Sequence, residues 1–184
     1  RTQLLRFLTV ENEWTRVLVF VATKYATEHV ADKLRRAGLD ATALHGELSQ
    51  GARTQALADF KAGRVRLLIA TDLAARGLDI EELPVVVNYD LPRSAVDYVH
   101  RIGRTGRAGA KGIAYTFFTP GDKKLATDLV GILTNAGQNI PDELQRMARP
   151  RFHPGSGGRG GRGGRVGGYS GGRGGRGGYM SGGR

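Results

Sequence analysis

Between His100 and Arg107 the chain places three arginines, one histidine and two glycines in eight consecutive positions, His-Arg-Ile-Gly-Arg-Thr-Gly-Arg. Arginine is charged at every working pH and offers a planar fork of donors that fits phosphate oxygens two at a time. Arg104 and Arg107 stand one helical turn apart, so both can grip one polyphosphate. The plain alternative is an exposed basic turn. A glycine in a helix interior costs about 1 kcal/mol, so Gly103 and Gly106 argue for a close approach to the backbone rather than a solvated helix. The helix that delivers the string, over 94–102, is expected to open on Ser94 as its cap, with Asp97 three residues on as a weak capping-box partner.

Other polar groups that suit a ligand each follow an apolar run. Thr23 follows Val17–Ala22, His45-Gly46 follows Ala41–Leu44, Thr71-Asp72 follows Arg66–Ala70, and Asn88–Asp90 close Val85–Tyr89. Runs rich in Val, Ile and Leu without alternation read as strands buried on both faces of a parallel sheet. Between them lie helical patterns: 24–37, with Ala26, Val30 and Leu34 in step and Gly38 as its stop, then a second from Ser49 through Leu57 and Phe60 to Gly63. A fifth strand is expected over 112–119. Two further helices follow, 122–135, with Leu125, Leu129, Ile132 and Leu133 on one face, and 141–147. Alternating strands and helices imply a parallel α/β sheet with helices on both faces, and ligands of such sheets bind beyond the carboxyl ends of the strands. That is where all four polar groups fall. In particular His45-Gly46, with Gln50 and Arg53 one turn apart on the next helix, suits a phosphate backbone, because a helix N-terminus presents unpaired N–H groups.

Several of these strings resemble the DEAD-box ATP-dependent RNA helicases. His100–Arg107 resembles the family's last signature motif, with His where related DEAH-type helicases usually carry Gln. Ala70-Thr71-Asp72-Leu73-Ala74-Ala75-Arg76-Gly77-Leu78-Asp79-Ile80 resembles the Ala-Thr-Asp…Ala-Arg-Gly-Leu-Asp motif. His45-Gly46-Glu47-Leu48-Ser49-Gln50-Gly51-Ala52-Arg53 resembles His-Gly-x-x-x-Gln-x-x-Arg, with Gly51 in place of the usual helix former. Val19–Thr23 and Val87–Pro92 resemble two flanking segments. The resemblance covers residues 1–149 and is to the second, C-terminal RecA-like domain alone. It implies RNA contacts at Thr23, Gly46, Gln50, Arg53 and Thr71, nucleotide contacts at Gly77 and Asp79, arginine fingers at Arg104 and Arg107, and an interdomain network through Asp90 and His100. The phosphate loop, the Asp-Glu-Ala-Asp strand, the Ser-Ala-Thr element and the adenine-reading glutamine segment of the family are not in these 184 residues. ATP is therefore expected to bind in a cleft shared with an N-terminal RecA-like domain that holds the Mg²⁺. This chain alone, which starts at Arg1 and reads as a piece of a longer protein, is expected not to hydrolyse it.

Composition separates a second region. Residues 1–149 carry 21 basic side chains against 17 acidic ones, whereas 150–184 carry seven arginines, no acid, and most of the net charge of +11. Ser-Gly-Gly-Arg recurs three times there, Arg159, Arg162, Arg173 and Arg176 each precede a glycine pair, and Tyr169 and Tyr179 punctuate the repeat. With almost no apolar residue to offset chain entropy, this tail is expected to be disordered. Its arginine forks and tyrosine faces suit sequence-tolerant binding of single-stranded RNA; the plain alternative is a flexible linker. Zero cysteines exclude a disulfide framework and cysteine-bound zinc, which fits an intracellular protein of the cytoplasm or nucleus. No run of eighteen apolar residues and no apolar leader occurs, so no membrane partner is expected. Two readings from other classes stand beside the helicase: a non-enzymatic protein that binds or anneals single-stranded and duplex RNA, and a scaffold that assembles through the Arg-Gly-Gly tail.

Overall fold

In a computed structural model, the described residues are 1–148 without 77, 79, 81, 82, 107–110, 136 and 138. Five parallel strands form one sheet: β1 (Val17–Phe20), β2 (Ala41–Leu44), β3 (Leu67–Ala70), β4 (Val85–Asn88) and β5 (Ile113–Thr116), in the spatial order β2-β3-β1-β4-β5. The helices are α1 (Thr2–Glu11), α2 (Lys24–Arg36), α3 (Gln50–Lys61), α4 (Asp72–Ala75), α5 (Ala95–Ile102), α6 (Lys123–Asn135) and α7 (Asp142–Ala148), with a 3₁₀ turn at Pro120–Asp122. This is the RecA-like α/β arrangement that the sequence implied.

Alternate residues of the unbroken apolar strands supply two cores, one on each face. Val17 and Val19 of β1, with Leu67, Ile69, Val85 and Val87, pack against Leu5 of α1 and Val30, Ala31 and Leu34 of α2. Leu18 and Phe20, with Leu68, Ala70 and Val86, pack against Ala56 and Phe60 of α3 and Ala74 and Ala75 of α4. A strand sandwiched between helices has no polar face to alternate with, which is why its sequence reads as a continuous apolar run.

Except for β2, which spans the whole of its run, the strands are shorter than the apolar runs. In β1 the ladder fades after Phe20: Val21 N–H still reaches Ala70 O, but Ala22 N–H is taken by the Asp90 carboxylate at 3.0 Å. The expected fifth strand over 112–119 likewise narrows to Ile113–Thr116, and Phe117 stays buried without belonging to it. Two helices were not anticipated. α1 lacks a capping side chain and leaves Leu4, Phe7 and Val10 exposed, so its apolar pattern has no clean face. α4 is a single turn, too short for any periodicity.

Candidate functional site

Every helix that leaves the carboxyl edge after β1 to β4 starts on a hydroxyl. Thr23 Oγ1 accepts from Ala26 N–H at 3.1 Å, Ser49 Oγ from Ala52 N–H at 3.2 Å, Thr71 Oγ1 from Ala74 N–H at 3.4 Å and Ser94 Oγ from Asp97 N–H at 3.1 Å. A hydroxyl has one proton to give and two lone pairs to receive with. Capping therefore leaves the Thr23 and Thr71 protons available to a phosphate oxygen.

The register places the first group of predicted residues together. Leu44 and Phe20 both lie beside Ala70, so the segments just beyond β2, β3 and β1 share one stretch of the edge. That stretch holds Gly46, Thr71 and Thr23, with Gln50 and Arg53 on the first turn of α3. An ion pair of Lys24 with Glu47 and a hydrogen bond between His45 Nε2 and Glu28 at 2.9 Å tie the β2–α3 turn to α2. A carboxylate can only accept, so Nε2 carries the proton. The paired lysine holds the Glu47 carboxyl below its ordinary value, its hydrogen bond being the largest cause. Buried His45 Nδ1 and Arg53 Nε have no hydrogen-bond partner among the described residues. Gly46 has an ordinary φ and open space where a Cβ would stand, so the fold itself does not demand glycine there.

The second group centres on α5. His100 is exposed and Arg104 half-buried, with Arg104 Nη1 donating to Leu78 O at 3.3 Å. The turn after α5 is held against the segment leading into β4. Leu83 N–H donates to Arg104 O at 3.1 Å, and Thr105 Oγ1–H donates to Leu83 O. Gly106 takes a φ of +68°, and a Cβ on Gly112 would lie 1.8 Å from Thr105 Oγ1 and 2.5 Å from Gly106 N. That glycine is a close-approach position, unlike Gly46. A depression of about 20 Å³ lies beside Arg104, lined also by Phe20, Asp72, Arg76, Asp97, His100 and Arg101. The opposite face of α5, through Val99 and Ile102, borders a larger apolar groove of about 770 Å³ against α6 and α7.

Arg101, the middle residue of the arginine string, is the one the sequence reading passed over. It is 2% exposed. Nε and Nη2 each meet an Asp72 carboxylate oxygen at 2.6 Å, Nη1 reaches Asp90 O at 2.6 Å and Asn88 Oδ1 at 3.2 Å, and the guanidinium lies over the Phe20 ring at 4.9 Å. Asn88 continues through Nδ2 to Thr116 Oγ1 at 3.2 Å, and Thr116 reaches Tyr98 Oη at 3.4 Å. Nearby, Asp97 accepts from Ser94 Oγ and Arg76 Nη2, each at 2.8 Å, and these bonds, Ser94 first, hold its carboxyl below the ordinary value. A signal existed: Tyr98 and Arg101 are three apart, so helical spacing sets Arg101 on the buried face with Tyr98.

Of the remaining predicted residues, Asp90 spends its carboxylate inside the domain, on Arg1 and Ala22 N–H. Gly77, Asp79, Arg107, Arg159, Arg162, Arg173 and Arg176, with the tail and the domain boundary at 149, lie outside the described residues. Among the described residues no cluster of three or more His, Asp or Glu side chains is placed to hold a metal ion, and no helix is long and apolar enough to cross a membrane.

Comparison with known proteins agrees with the fold. Residues 1–109 match the family described as the helicase conserved C-terminal domain. The chain is 48% identical over 158 residues to DEAD-box ATP-dependent RNA helicase 30 of Arabidopsis thaliana, covering 85% of this chain and 27% of that protein. It is 50% identical over 150 residues to the ATP-dependent RNA helicase-like protein DB10 of Nicotiana sylvestris, covering 78% and 24%. The chain thus spans about a quarter of the length of these relatives. Among solved structures, E. coli DEAD-box protein SrmB bound to regulator of ribonuclease activity A superposes with a TM-score of 0.68 at 39% identity, over 84% of this chain and 89% of that one. The ADP-bound RNA helicase Prp28 of Chaetomium thermophilum gives 0.72 at 36% identity, over 79% of this chain and 37% of that one. With a RecA-like sheet, Arg101 and Arg104 at the end of α5 and these relatives in agreement, the chain belongs to the helicase conserved C-terminal domain family, in its DEAD-box form.

Proposed function

We propose that this chain is the C-terminal half of an ATP-dependent RNA helicase that binds RNA along the β2-β3-β1 edge and lends arginines to ATP held in a cleft with an N-terminal RecA-like domain. In this reading Thr23, Gly46, Gln50, Arg53 and Thr71 meet the RNA backbone, assisted by Arg159, Arg162, Arg173 and Arg176 of the tail. Arg104 and Arg107 meet the γ-phosphate, Gly77 and Asp79 the nucleotide near its ribose, and Asp90 and His100 join the interdomain network. Mg²⁺ is carried by the other domain. Hydrolysis is coupled to local opening of an RNA duplex.

The observation that carries the reading is the half-site at α5. Arg104 stands half-buried, with Leu78 O as its hydrogen-bond partner among the described residues, beside exposed His100, over a depression of about 20 Å³. That volume admits a water and not a nucleotide, which suits a site completed by a second surface. Gly46, a glycine the fold does not need, supports close approach of a backbone phosphate on the other stretch.

The test is ATPase activity, with and without single-stranded RNA, of this chain alone and of the full-length protein. Activity is expected only in the full-length protein and is expected to rise with RNA. Arg104→Ala or Arg107→Ala should lower kcat by roughly 10³ or more, as loss of an arginine finger does elsewhere. Wild-type turnover in both variants refutes the assignment. The tail's concentration of arginine favours one second reading, RNA binding without ATP. Deleting 150–184 separates the two, because only that second reading expects RNA affinity to vanish with the tail and nothing to depend on ATP.

A further inference from the structure

We propose that Arg101 is the positioning residue through which RNA and nucleotide sense each other, an inference that rests on the helicase reading above. Thr71, on the RNA stretch, caps α4, and Asp72 is the first residue of that turn. Both Asp72 carboxylate oxygens are held by Arg101 at 2.6 Å. A two-point pair resists rotation as well as translation, so a shift of the 71–72 turn moves the guanidinium and, with it, α5. Three residues further on the same segment stands Arg104, whose own turn is pinned to Leu83. The third nitrogen of Arg101, on Asn88 and Asp90, sets its height against the end of β4. Thr116 and Tyr98 close the path back onto α5.

A buried ion pair is weak as a stabilising device, because well-packed apolar groups of similar volume often serve as well. Keeping an arginine at 2% exposure in a position that joins the two stretches fits transmission of position better than stability.

The experiment measures coupling. Binding of a fluorescent single-stranded RNA to the full-length protein is titrated with and without a non-hydrolysable ATP analogue, and the ratio of the two dissociation constants is taken. The unsubstituted protein is expected to show a ratio within roughly 5 to 150. In Arg101→Lys the ratio should fall to within about twofold of unity, while affinity for RNA without analogue changes less than about threefold. A loss of folded protein lowers the active fraction in both titrations and leaves their ratio alone, so a purely structural role does not mimic the result. Asp72→Asn, at a carboxylate that is 35% exposed, is the variant to use if Arg101→Lys does not fold, and it carries the same expectation. A folded variant of either kind that keeps the full ratio overturns the proposal and leaves the helicase reading intact. No coupling in the unsubstituted protein overturns both.

Discussion

The two stretches of the carboxyl edge are built in opposite ways. Around Thr23 and Gly46 the joins are few and local, an exposed ion pair of Lys24 with Glu47 and a hydrogen bond from His45 Nε2 to Glu28. Around α5 a connected network, from Asp72 through Arg101 and Asn88 to Thr116 and Tyr98, links α4, β4, β5 and α5. Parts that stand alone fail alone, whereas a shared network fails as a unit. The first construction suits a surface that reads a repeating backbone in independent contacts; the second suits one that must hold a few groups in fixed relation.

The most severe break of this contrast is Arg101→Met. It leaves Asp72 unpaired and strands Asn88 Oδ1 and Asp90 O, and urea denaturation of this chain should show a loss of about 3 kcal/mol. Second in size is Gly112→Ala. Its new methyl meets Thr105 Oγ1 and the backbone of Gly106, so the arginine-bearing turn must shift, at about 2 kcal/mol by the same measurement. Combined with Asn88→Ala, the Arg101→Met cost should fall clearly short of additive.

On the other stretch, Ser49→Ala should cost about 1 kcal/mol, and the Thr23→Ala, Ser49→Ala pair should add within about 0.5 kcal/mol. Gly51→Ala should act with opposite sign. Its Cβ meets nothing within 4 Å and its φ is ordinary, so a gain approaching about 1 kcal/mol in thermal or urea unfolding is expected.

The smallest effect is pH dependence through Asp97. Its folded pKa lies below the ordinary value of 3.8, so the unfolded chain binds the proton first. The contribution is fully present above that ordinary value and is lost as pH falls through the folded one. Arg76→Ala removes one of the two bonds behind the shift, and comparison of acid unfolding curves should show a shallower decline below pH 4 in the variant.

How much of this was legible beforehand follows physical lines. Strands buried on both faces advertise themselves as unbroken apolar runs, so all five were visible, although hydrogen bonding ended β1, β4 and β5 earlier than hydrophobicity did. Ser94 and Ser49 were readable as caps; Thr23 and Thr71 were read for ligands alone, because a side chain's second hydrogen bond leaves no trace in a one-dimensional string. Arg104 stood out through its spacing to Arg107 and the string they share. Arg101 hid beside it, since charge in a motif suggests exposure and only the spacing to Tyr98 hinted otherwise. Gly112 and Gly46 look alike as letters, and only three-dimensional neighbours separate a glycine the fold requires from one it does not.

The strand order bears on how the chain assembles in time. β1, made first, pairs with neither its own successor nor itself: Val17 waits for Leu67 of β3 on one side and Val85 of β4 on the other. Until those arrive, Val-Leu-Val-Phe has no partner for either edge while β2 is already synthesised beside it. Non-local parallel pairing of this kind is slow and leaves apolar segments open to association. Refolding of this chain should therefore be concentration-sensitive, with light scattering rising before native β-structure is regained, and the central strand is where a chaperone would find most to hold.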